Sequence, residues 1–168
     1  MSRITTQTCK GLALALLLGS TTVQAADVLI QRTIGMELAR DIVNEAVLAC
    51  RKAGYQISAV VVDKNASVRA MLRDDAAARF TLDIAQRKAN MTIMGGTDSG
   101  TVVKNRSDIR NELNHIDGLI MLKGGLPIIV GGYLIGAVGV SGAPGGDKDE
   151  ACAQAALDAL EDRIAFSE

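Results

Sequence analysis

From Gly124 to Gly142 the chain reads GGLPIIVGGYLIGAVGVSG, and no other stretch limits the possible folds so strongly. Two apolar runs flank Gly131-Gly132, a pair that takes the positive φ values of a tight primed turn at no steric cost, so the stretch is expected to form a β-hairpin. In the second run, period-two alternation puts Leu134, Gly136, Val138 and Val140 on one face and Tyr133, Ile135, Ala137 and Gly139 on the other. Neither face is polar enough for water, so both sides of the sheet need covering. Gly136 and Gly139 remove side-chain bulk from opposite faces, which admits a close-packed helix, a neighbouring subunit or a flat ligand; helix packing is the expected use.

The remaining segments supply those helices. Thr33 is placed to cap a helix over 34–53 with Ile34, Leu38, Ile42 and Ala46 along one stripe and Gly54 at its end. Ile57–Val62 and Ser67–Leu72 read as the two strands of a first hairpin, turned at Asp63-Lys64-Asn65. Asp75 is expected to cap a second helix over 76–94, closed by Gly95-Gly96. Residues 97–114 look irregular and mobile, with Ser107 capping a short helix. His115 and Asp117 then alternate as on a strand leading into the glycine hairpin. Asp147 with Glu150 has the form of a capping box for a last helix bearing Ala153, Leu157, Leu160 and Ile164. This order predicts an α+β fold, an antiparallel sheet covered by helices on both faces.

The first residues stand apart from this pattern. Arg3 and Lys10, the apolar run from Leu12 to Leu18 and the small-residue site Val23-Gln24-Ala25 form a secretory signal, expected to be cleaved before Ala26. The apolar run is too short to span a bilayer, and no later segment has the length to do so. Residues 26–168 are then a single exported domain, periplasmic or secreted, long enough to bury a core unaided. Removing Arg3 and Lys10 leaves 16 basic against 19 acidic residues, a net charge of −3. With no Trp, two Tyr and two Phe, the chain has neither the basic stripe nor the stacking platform of a nucleic-acid binder. Of the three cysteines, Cys9 leaves with the signal. Cys50 and Cys152 have no C-x-x-C partner, so redox and zinc motifs are not supported; both are expected as buried free thiols, while export would permit a disulfide.

No nucleophile elbow, H-E-x-x-H or dinucleotide fingerprint occurs. The glycine-rich entry to the last helix lacks the G-K-[ST] ending and places Asp147, Asp149 and Glu150 where a phosphate would sit, which speaks against that ligand. Carboxylate pairs Asp147/Glu150 and Asp158/Glu161 read as helix caps and solvated charge.

Four segments together carry a resemblance: Ala59-Val60-Val61-Val62-Asp63, Ile84-Ala85-Gln86-Arg87-Lys88-Ala89, Gly124-Gly125-Leu126-Pro127-Ile128, and Gly136 to Gly142 followed by Asp149-Glu150. They resemble the GlcG/HbpS family of haem-binding proteins over about residues 34 to 165. The resemblance implies a profilin-like α-β-α sandwich, homo-oligomeric assembly and, for some members, haem held between subunits or degraded oxidatively. It also exposes two departures. The family commonly has Asp-x-x-Gly after its first strand, where this chain has Asp63-Lys64-Asn65-Ala66. The family's K-A-x-T in the second helix is here Lys88-Ala89-Asn90-Met91, with Thr92 one place later. His115 and Met91 are the candidate iron ligands by residue type, Thr92 the candidate haem contact, and Arg87, Lys88, Lys104 and Arg106 the candidate partners of the propionates. Two other readings compete: a non-catalytic accessory or sensory partner of another protein, and a binder of a small glycolate-like organic acid clamped by Arg87, Lys88, Arg106 or Arg110.

Overall fold

A computed structural model describes residues 30–166, and the predicted signal lies outside them. Gln31 onward forms one compact unit. Its elements run α1 (Met36–Lys52), β1 (Ser58–Asp63), β2 (Val68–Arg73), α2 (Thr81–Gly95), α3 (Ser99–Asn105), a 3-10 turn (Ser107–Ile109), α4 (Arg110–Asn114), β3 (Gly125–Val130), β4 (Tyr133–Ser141), α5 (Gly146–Ala159) and α6 (Glu161–Ala165). The four strands form one antiparallel sheet in the order β2-β1-β4-β3. Every residue of β1 is buried, because helices cover both faces of the sheet. Ala59 and Val61 pack with α1 and α5 on one side, and Val60 and Val62 pack with Ala85 and Ala89 of α2 on the other. The predicted α+β sandwich is the observed fold.

Gly131 and Gly132 take φ values of +54° and +81° and turn β3 into β4 as expected. The alternation along β4 is broken at one point. Ile128 pairs with Gly136 but Ile129 pairs with Leu134, so Ile135 is an extra, bulged residue. The bulge turns Ile135 onto the α1/α5 side with Val138 and Val140, where period-two counting puts it opposite them. Its carbonyl accepts a 3.0 Å bond from Ile34 N–H, tying the segment before α1 to the sheet.

Gly139 shows why these strands need glycine. A Cβ there would lie 2.0 Å from the Ala85 carbonyl oxygen, so α2 rests directly on the strand backbone. Close packing by a helix, the expected use, accounts for this position.

Cys50 and Cys152 are disulfide-bonded across 102 residues, joining α1 to α5, which corrects the expectation of free thiols. Both helices are amphipathic toward the same core, and their packing brings the two Cα atoms to 5.4 Å, within bridging reach. Four predicted caps are also corrected: α1 begins at Met36 after Gly35 rather than at a Thr33 cap, and Ser107 lies inside the 3-10 turn without capping it. Asp75 is exposed, and the second helix begins at Thr81; residues 74–80 instead form turns anchored by buried Asp74, whose carboxylate accepts two Arg51 hydrogen bonds of 2.6 and 2.8 Å. The first helix turn of α5 follows Gly145 with no side-chain cap, since Asp147 and Glu150 both reach Lys123 instead, at 2.8 and 3.1 Å.

Candidate functional site

Arg87 and Lys88 are adjacent on α2 and serve opposite purposes. The sheet-facing stripe of this helix is Ala85, Lys88, Ala89 and Thr92, all buried. Lys88 is only 2% exposed. Its Nζ donates to Asp149 Oδ2 at 2.6 Å and to the Val140 carbonyl at 3.0 Å. The other carboxylate oxygen of Asp149 accepts from Ala143 N–H at 2.9 Å. Two glycines make space for this pair. A Cβ on Gly124 would lie 2.9 Å from Lys88 Nζ, and one on Gly125 would lie 2.4 Å from the Lys88 carbonyl oxygen and 2.6 Å from Thr92 Oγ1. Gly125 N–H is in turn held by the buried Ser99 hydroxyl at 2.8 Å. The GG of the GGLP block is therefore the seat of a buried lysine, and Lys88 is an internal tie between α2, β4 and α5. Asp149, read from the sequence as one of three carboxylates at the entry to the last helix, is its partner; only contact across 61 residues reveals that role.

Thr92 is fully buried and donates its hydroxyl back to the Lys88 carbonyl at 3.2 Å. Met91, also fully buried, packs with Val102, Leu113 and Met121 in a separate small core. Its thioether is enclosed by the chain's own side chains, so within this unit it has no path to a ligand's iron. The same core gives residues 97–114 the order that their composition hides: Asp98 caps α3 by accepting from Thr101 N–H at 2.7 Å, and Val102 and Leu113 anchor α3 and α4 beneath α2.

Arg87 points away from the sheet into a groove of about 310 Å³, whose walls include Arg110, Leu119, Ile120 and Leu122. The segment forming its far wall is not the expected strand. Side chains replace the ladder: Asn90 donates to the Gly118 carbonyl at 2.9 Å, Asn114 Oδ1 accepts from Met121 N–H at 2.8 Å, and Arg110 donates to the Met121 carbonyl at 3.1 Å. The groove thus carries two guanidinium groups along an aliphatic wall. Arg87 Nε lies 2.9 Å from Asp83 Oδ2 but makes no aligned hydrogen bond.

His115 ends α4, one residue beyond Asn114 of the groove, and is exposed rather than aligned with Asp117 on a strand. Its Nδ1 lies 2.6 Å from the Asn111 carbonyl oxygen. A carbonyl only accepts, so Nδ1 carries a proton, and in the neutral tautomer this contact selects, Nε2 is the nitrogen with the lone pair. Lys104 lines a different cavity, and Arg106 is exposed, 3.8 Å from Asp108. Of the cations expected around one ligand, the fold brings Arg87 and Arg110 together and separates Lys88, Lys104 and Arg106 from them. Among the described residues no group of three or more His, Cys, Asp or Glu is arranged to hold a metal ion, and no helix is long and apolar enough to cross a membrane.

Comparison with known proteins gives this geometry a setting. A double mutant of HbpS from Streptomyces reticuli superposes with a TM-score of 0.76 at 30% identity, covering 83% of this chain and 94% of that one. Protein GlcG of Escherichia coli is 29% identical over 108 residues, 64% of this chain and 81% of GlcG. A PduOC:haem complex shares the fold, with a TM-score of 0.67 at 21% identity over 76% of this chain and 94% of that one. The family model described as haem degrading protein HbpS-like matches residues 34–158, and the chain belongs to that HbpS-like family.

Proposed function

We propose that the protein binds haem or a related tetrapyrrole along the Arg87/Arg110 groove, as an exported homo-oligomer. The observation that carries this reading is the pairing of two guanidinium groups with the aliphatic side chains of Leu119, Ile120 and Leu122. A macrocycle with two carboxylates offers the complementary chemistry, since guanidinium groups bind carboxylates through charge-assisted bonds while aliphatic walls take the ring. The family description supports it, as does the haem held by PduOC on the same fold. His115 is the donor to the iron, because Met91 is enclosed and the bond from Nδ1 to the Asn111 carbonyl orients the ring with Nε2 as the ligating nitrogen, the arrangement common to metal-bound histidines. A groove of this size covers only part of a macrocycle. A second copy completes the walls, and exposed Met71 and Ile129 on the two edge strands, with Tyr133 at the start of β4, provide apolar surface for that assembly. The disulfide supports an oxidising compartment, hence export. Haem iron supplies oxidative chemistry in the presence of peroxide or oxygen; this chain contributes position and access, so binding ranks above degradation.

The test is a haemin titration of the mature, disulfide-intact protein followed at the Soret band. A saturable shift is expected in the wild type and in Met91→Leu, a changed ligand-field spectrum in His115→Ala, and weakened binding in Arg87→Ala/Arg110→Ala. Absence of a saturable shift in the wild type refutes the haem reading. If glycolate-like acids raise the melting temperature and haemin does not, the same arginine pair serves a small organic acid instead. Stabilisation by neither ligand leaves the accessory-partner reading.

A further inference from the structure

The outer face of α2 continues past the Arg87 groove. Helical backbone runs back to Phe80, whose φ and ψ are −75° and −16° and whose carbonyl accepts from Ile84 N–H at 3.1 Å. Phe80, Ile84, Arg87 and Met91 therefore recur at i, i+4, i+7 and i+11, the spacing of one helix face, opposite the buried stripe of Ala85, Lys88, Ala89 and Thr92. At one end this face is covered, since Met91 packs with Val102, Leu113 and Met121. At the other it is open: Ile84 is half-buried and Phe80 is 63% exposed. The Arg79 guanidinium stacks over the Phe80 ring, 4.5 Å from its centroid, and steadies it. Asp83, at the margin of the same face, is turned to Arg87, 2.9 Å from its Nε.

Seven residues of helix separate Phe80 from Arg87, about 10 Å at about 1.5 Å per residue. A small organic acid held at Arg87 does not reach that far. A flat macrocycle anchored at Arg87 by its carboxylates is long enough to lie across Ile84 and meet the aromatic ring. We propose that Phe80 is a specificity-determining contact of the groove: with Ile84 it packs against the plane of the tetrapyrrole and selects a large flat ligand over a small acid. The contact rests on the haem reading of the groove, and it adds a wall from this chain where the groove leaves the macrocycle uncovered. Such a contact works through buried apolar area and ring stacking, so it is indifferent to the iron.

Titrating the mature, disulfide-intact protein with haemin and with metal-free protoporphyrin IX tests it. Phe80→Ala is expected to weaken both by at least about fivefold, the scale of one stacked aromatic ring. The Soret maximum of bound haemin should stay in place, because the iron keeps its ligand. Phe80→Trp retains a flat ring and should restore the affinity for both. Phe80 is exposed, so the urea midpoint of Phe80→Ala should match the wild type. Wild-type binding that Phe80→Ala leaves unchanged overturns the contact while the haem reading stands. So does weakening that comes with a lowered urea midpoint, and so does binding, or dependence on Phe80, that is confined to haemin. No saturable binding of haemin to the wild type removes the haem reading and this contact with it.

Discussion

Lys88 and Asp149 form the buried contact whose removal should be felt most. Their side chains are 3% and 5% exposed and 2.6 Å apart, with Lys88 also bound to Val140 O and Asp149 to Ala143 N–H. Lys88→Met removes the ammonium but leaves a buried carboxylate whose single remaining donor is a backbone amide. Breaking a buried pair from one side typically costs about 3–5 kcal/mol, because the surviving charge is uncompensated. Asp149→Asn keeps an oxygen for Ala143 N–H and strands the ammonium instead. Replacing both together removes the uncompensated charge, so the double variant should recover much of the loss. The coupling energy is expected to be at least about 2 kcal/mol, within the range for residues sharing one network. Urea unfolding of the disulfide-intact protein measures it; with a slope of about 2 kcal/mol/M, a 4 kcal/mol loss moves the midpoint by about 2 M. Single variants that each lose under about 1 kcal/mol, or losses that simply add, would refute the claim that this pair ties α2 to α5.

Three further perturbations follow from individual residues. Ala66 sits at φ +62°, in the turn position where the family commonly has glycine, and a left-handed non-glycine residue costs about 1–2 kcal/mol. Ala66→Gly should therefore stabilise by about 0.5–1 kcal/mol after the extra unfolded-state entropy of glycine is subtracted, read as a raised urea midpoint; a lowered midpoint refutes the strain. Reduction of Cys50–Cys152, which closes a loop spanning 102 residues, should cost about 4–5 kcal/mol by loop entropy, measured by unfolding with and without reductant. In acid, Asp74 is held below the ordinary carboxylate range first by its hydrogen bonds from Arg51, and Asp41 likewise by Arg163 and then Arg40. Depressed carboxylates contribute fully above their unfolded values near about 3.9 and lose that contribution as pH falls through the folded ones. Stability should thus decline between about pH 5 and about pH 2, and Arg51→Ala should make the decline shallower; an unchanged slope removes Asp74 from the account.

How much of this is legible before folding depends on the range of the forces involved. The Gly131-Gly132 turn, the two-faced burial of β1 and the stripe of α1 are set by neighbours in sequence, and composition with period is enough to place them. The end of α1 is of the same kind: Gly54 N–H bonds to Arg51 O and Tyr55 N–H to Cys50 O, a closure that Gly54 at φ +84° makes possible. Residues 115–124 belong to another class. Their apolar pattern resembles a strand, yet Asn90, Arg110 and Asn114 take up the backbone groups that a ladder would have used, Asn90 from distant α2 and the other two from α4 just before the segment, which folds back over it.

The same distinction runs through the sites. Arg87 and Lys88 are chemically alike and adjacent, and nothing local says that one faces a groove while the other is sealed in the interior. What decides it is the helix phase of α2 together with glycines 124, 125 and 139, which let the helix descend until Lys88 meets Asp149. The glycine pattern that makes the family recognisable is thus chiefly a packing device for α2. In the haem reading proposed above, ligand chemistry falls on the opposite side of that helix, where Arg87 and Arg110 line one groove, so groove residues can be substituted without disturbing the packing that holds the fold.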